Sequence, residues 1–136
     1  MNEDVKKWML RAMEDWKVVI HEMCLPSEEI PKGAVCFHCQ QFVEKLLKSY
    51  LVLKGVDFGK THNLEYLLEL CKAQDSDFEN IDVGNLTFYA VNIRYPDEFY
   101  VPTLEEAEEC YMIAQRVKEF IEKKLNIMLE NVAAGK

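Results

Sequence analysis

Apolar residues recur at helical spacing along almost the whole chain. Val5, Trp8, Met9, Ala12, Met13, Trp16, Val19, Ile20 and Met23 share one face, with charges on the other, which predicts an amphipathic helix from about Asn2 to Leu25. Pro26 and Pro31 bracket a break that holds Ser27, Glu28 and Glu29. A second helix opens after Gly33. Its stripe of Val35, Cys39, Phe42, Val43, Leu46, Leu47, Tyr50, Leu51 and Leu53 is too wide for a helix with one neighbour, and Gln40, Gln41, Glu44, Lys45 and Lys48 form its polar face. Gly55 suits the position just past a helix end, and residues 56–60 read as a loop.

Thr61 or Asn63 caps a third, short helix carrying Leu64, Leu67, Leu68 and Cys71. Ser76 followed by Glu79 has the form of a capping box opening a fourth helix, with Phe78, Ile81, Leu86, Tyr89, Ala90 and Ile93 inside; Gly84 weakens it slightly. Pro96 cannot continue a helix and biases Tyr95 out of the α region, so the fourth helix ends near Arg94. Thr103 with Glu106 is a second capping box, introducing the longest helix, from about Leu104 to Glu130, after which residues 131–136 read as a frayed tail. No stretch alternates with period two between turn residues. The pattern predicts an all-α, up-and-down antiparallel bundle of four long helices plus one short helix, a single domain over residues 1–130.

Composition narrows the class. In 136 residues, 49% apolar and 29% charged, a single core of ordinary size is expected, and five glycines with four prolines leave little for the turns of a β-rich fold. No apolar run approaches the roughly 20 residues that span a bilayer, and the charged start of the chain is unlike a signal peptide, so a cytoplasmic protein without a membrane partner is the expectation. The net charge of −8 lowers the expectation of non-specific nucleic-acid binding but leaves room for a local basic site.

Five cysteines without a secretory signal read as free thiols. Cys36 and Cys39 make a CxxC around His38, the form of a zinc site; their place within a helical pattern favours small buried residues, and no metal or cofactor is expected. Cys71 and Cys110 lie on apolar faces. Two polar features remain. Arg94 sits at a predicted helix end beside Tyr95, Asp97 and Tyr100, either finishing the helix against its dipole or binding an anion. His62 stands at a helix start, solvent-facing or structural, or else a general base.

The ordered set of motifs resembles the HEPN family (higher eukaryotes and prokaryotes nucleotide-binding domain). Its elements are Gln40-Gln41 with Glu44-Lys45 and Lys48, then Thr61-His62-Asn63-Leu64, then Arg94-Tyr95-Pro96-Asp97, and the likeness runs from Arg11-Ala12 and Asp15 through the final helix. The resemblance implies a helical bundle that works as a homodimer, binds a nucleotide or RNA, and partners a minimal nucleotidyltransferase in a toxin–antitoxin type pair. Active ribonucleases of the family carry an arginine followed, four to six residues on, by a histidine. Here that arginine is Arg94, the histidine position falls on Phe99 or a neighbour, and no histidine follows Arg94. The imidazole that would carry the proton is missing there, which implies binding without ribonuclease activity. The alternatives are a degenerate ribonuclease using Arg94 with His62, and a structural interaction module.

Overall fold

The computed structural model describes residues 1–90 and 100–135. Helix α1 spans Glu3–Met23, opened by Asn2, whose side chain accepts the Val5 N–H at 2.9 Å, with Glu3 and Asp4 in the positive first turn. Helix α2 spans Lys32–Leu53, beginning just after Pro31. It closes as expected on Gly55: at φ +71° this glycine lets its own N–H reach the Val52 carbonyl and the Val56 N–H reach that of Leu51, satisfying end carbonyls. Helix α3 is Leu64–Gln74, α4 is Leu104–Leu125 and α5 is Leu129–Ala133. The fold is an all-α bundle, and among the described residues no helix is long and apolar enough to cross a membrane.

The wide stripe of α2 has the consequence its width demands. This helix packs against α1, α3, α4 and the turn at Leu86–Ala90, and is buried on almost every side. Along α1 and α2 the partners run in opposite order: Trp8 lies by Lys48, while Asp15 meets Lys45 and His38, so the two helices are antiparallel. Trp16 joins three helices, its ring stacked 4.9 Å from Phe42 of α2 and 5.7 Å from Tyr111 of α4. Each such pair adds about 0.5–1.5 kcal/mol beyond the area it buries. Trp16 is therefore core, as its spacing suggests.

Three local expectations are corrected. The fourth helix expected from Ser76 is instead two 3-10 turns, Ser76–Asn80 and Leu86–Ala90, over its described part. The Ser76–Glu79 box does not form; Asp75 takes the capping role and accepts from the Asp77 N–H. Between the turns Ile81 is extended, and Asp82 accepts the Gly84 N–H at 2.8 Å with Gly84 at φ +51°. These side-chain bonds give the backbone a partner that helix would otherwise supply. A Cβ on Gly84 would also sit 3.0 Å from the Ile113 Cδ1 of α4, so the positive φ is what calls for glycine and the close approach adds to it. Second, α4 stops at Leu125 because Asn126 turns left-handed at φ +55°. Third, residues 129–133 form α5 with Leu129 buried and Val132 and Ala133 packed on the core, so the tail begins later than expected.

The polar face of α2 is not a solvated face. Gln40, Glu44 and Lys48, one turn apart, are 0%, 3% and 6% exposed. Glu44 accepts from Gln40 at 3.1 Å and from Lys48 at 3.0 Å, and the Lys48 ammonium lies 5.3 Å from the Trp8 ring and 5.4 Å from that of Phe58. A second carboxylate, Asp15, ties α1 to α2 through His38 at 2.8 Å and Lys45 at 2.7 Å. Buried charge is tolerated because it is paired. Glu44→Ala strands Lys48 and is expected to cost about 3–5 kcal/mol, whereas Glu44→Met with Lys48→Met costs far less. Chemical denaturation of both variants checks the contrast.

Candidate functional site

Thr103 and Glu106 form the predicted capping box at the start of α4, each side chain bonded to the other's backbone N–H at 3.1 Å. Glu106 does more than cap. Its Oε2 accepts the Tyr89 hydroxyl and its Oε1 the Tyr100 hydroxyl. Tyr89 lies in the turn that ends at Ala90, just before residues 91–99, and Tyr100 follows them, so one carboxylate holds both flanks of the stretch that carries Arg94. The two hydroxyl donors, Tyr100 first and Tyr89 next, hold the Glu106 carboxyl below its ordinary range. In return the Tyr100 phenol is raised by its bond to Glu106, and the Tyr89 phenol by burial first and that bond second.

Above this carboxylate lies a cleft of about 580 Å3, walled by Glu65, Thr87, Phe88, Tyr89, Tyr100 and Glu106. The rings of Phe88 and Tyr100 meet edge to face at 5.7 Å and are each about 40% exposed, so apolar ring surface faces solvent. Thr87 joins the wall to α3: its hydroxyl accepts the Leu64 N–H at 3.0 Å and donates to Glu65 at 2.8 Å. The described walls carry carboxylates and no cation. A somewhat larger hollow of about 610 Å3 lies by Met1, Lys6, Asn126 and Met128. It has no aromatic ring and no residue singled out by the sequence, so chemistry rather than size selects the cleft.

His62 stands one step from this wall, just before Asn63, which caps α3 by accepting the Tyr66 N–H at 2.9 Å. Its Nδ1 is 3.0 Å from Glu44 Oε1, and its carbonyl accepts from Gln40 at 3.2 Å. Facing a carboxylate, Nδ1 is placed to donate to it, and the side chain is 56% exposed. A buried carboxylate orienting an exposed imidazole is the arrangement of an acid–base pair.

Of the residues singled out by the sequence, Tyr100 lines the cleft and His62 does not. Arg94, Tyr95 and Asp97 lie outside the described residues. Glu65, Thr87, Phe88 and Tyr89 were not foreseen as site residues, and Glu106 only as a cap. The cysteines of the CxxC are fully buried. Burial raises the Cys39 and Cys71 thiols, the latter to about 12, and a bond to Cys36, then burial, raises Cys110. Such thiols stay protonated and fill space.

A depressed carboxyl stabilises the fold above its ordinary pKa of 4.5 and loses that contribution as pH falls through the lower folded value. Removing both donors, Tyr89→Phe with Tyr100→Phe, is expected to flatten the fall of stability below about pH 4.5. Urea unfolding at a series of acid pH values measures it; an unchanged slope would break the assignment to Glu106.

A model of the HEPN domain matches residues 5–124. A Methanocaldococcus jannaschii protein named "Putative toxin MJ1304" is 28% identical over 142 aligned residues, covering 90% of this chain and 91% of that protein. No solved structure matches significantly. The ordered motifs, the all-α bundle and a domain match over most of its length agree: this chain belongs to the HEPN family.

Proposed function

We propose that this chain is the toxin-like half of a two-protein pair, a homodimer that binds a nucleotide or RNA at the Tyr100 cleft and is partnered by a minimal nucleotidyltransferase. The observation that carries this is the joint hold of Glu106 on buried Tyr89 and on Tyr100, beside which the exposed rings of Phe88 and Tyr100 line a cleft at the flanks of the Arg94 stretch. Stacking on such rings is worth about 1–3 kcal/mol per base. The phosphate needs a different partner. Glu65 and Glu106 repel it by about 1–4 kcal/mol each at contact distance, so the described walls suit the base and Arg94 meets the phosphate with its planar fork of donors. The toxin name of the archaeal relative and the family match support the pairing. Ribonuclease activity of the usual kind is not part of this function, since Phe99 or a neighbour stands where the family's histidine would be.

The Glu44–His62 bond favours a second function, cleavage of RNA with His62 as the base and Arg94 on the phosphate. Calorimetry with nucleoside mono-, di- and triphosphates is expected to detect binding by the wild type and, in Arg94→Ala, a loss of roughly tenfold to a hundredfold, the weight of a charged hydrogen-bonded contact. No binding, or binding indifferent to Arg94, removes the nucleotide function. RNA cleavage abolished in His62→Ala while binding persists would establish the second instead.

A further inference from the structure

The hydrogen-bond state of the cleft wall selects among bases. Glu106 is already engaged: Oε1 accepts from Tyr100 and from the Thr103 N–H, and Oε2 from Tyr89. Glu65 is engaged only at Oε2, by Thr87, and its Oε1 has no partner among the described residues. Its carboxylate is also held in orientation. The Leu64 N–H, one of the unpaired donors at the start of α3, fixes the Thr87 hydroxyl, and that hydroxyl fixes Glu65. The wall therefore presents an oriented pair of acceptor oxygens beside the Phe88 and Tyr100 rings.

Resting on the nucleotide function proposed above, we propose that the cleft is a guanine site, with Glu65 reading the Watson–Crick edge of the base while Phe88 and Tyr100 hold its ring. A carboxylate offers only acceptors, and two adjacent ones. Guanine sets two donors side by side, N1–H and the 2-amino group, and meets both. Adenine sets one donor beside the N1 lone pair, and cytosine one donor beside the N3 lone pair, so each puts a lone pair against the second oxygen. The bond from Thr87 leaves Oε2 with a lone pair to spare. An oriented carboxylate loses little freedom on binding, which favours discrimination by a bidentate pair.

Calorimetry of the full chain with GMP, IMP and AMP tests this. GMP is expected to bind about tenfold or more tightly than AMP, with IMP, which lacks the 2-amino group, between them. Glu65→Gln replaces one acceptor by a donor, the pattern that matches adenine, and is expected to reverse the order in favour of AMP. Because Glu65 is exposed, the variant should retain the wild-type circular dichroism. Equal affinities for GMP and AMP, or an order unmoved by Glu65→Gln, would overturn the guanine site while leaving nucleotide binding intact. Failure of all three to bind removes the nucleotide function itself and the guanine site with it.

Discussion

The cleft end of this molecule depends on one carboxylate satisfying three donors, a backbone N–H and two phenol hydroxyls. Glu106 closes the N-terminus of α4, where four backbone N–H groups lack partners inside the helix. A cap alone explains a glutamate at that position. The two tyrosine hydroxyls are what turn the cap into a joint, because they come from segments on either side of residues 91–99. Through that joint the start of α4, the turn at Leu86–Ala90 and Tyr100 share one position in space. The cleft is the surface they leave open, with Glu65 and the Phe88 and Tyr100 rings along its wall.

Behind the cleft, α2 carries a second joint of the opposite character. Gln40, Glu44 and Lys48 are sealed inside the bundle and are linked to its surface through His62 and Gln41. Replacing such a buried pair by apolar residues of like size is often neutral or stabilising, so stability alone is a poor reason for its presence. It does fix where the loop before α3 lies, since Gln40 holds the His62 carbonyl and Glu44 its ring. Thr87 then links the first turn of α3 to the cleft wall. A series of hydrogen bonds thus runs from α2 to Glu65, which is how a rigid scaffold keeps surface groups in register.

Legibility differed sharply between these levels. The long helices α1, α2 and α4 could be read from periodicity, because burying a stripe is what builds them, and Asn63, Gly55 and the Thr103–Glu106 box could be read from cap chemistry. Residues 76–90 read as helix in the sequence because Phe78, Leu86 and Tyr89 have helical spacing, and all three are buried. Their burial is achieved by two 3-10 turns, and the competing signal, Asn80, Asp82, Gly84 and Asn85 in close succession, marks a turn. The site was harder to see. Thr87 and Glu65 are 22 residues apart and carry no joint signature, and Glu106 looked like a cap because it is one. Contacts of that kind become visible only once α3 and α4 are placed.

A map of the binding surface bears most directly on these inferences. Backbone amide shifts of the isotope-labelled chain, followed during titration with GMP, are predicted to change around Thr87, Phe88, Tyr89 and Tyr100, with the hollow at Asn126–Val132 unmoved. Changes centred on that hollow, or none at saturating nucleotide, would contradict the assignment of the cleft as the binding site.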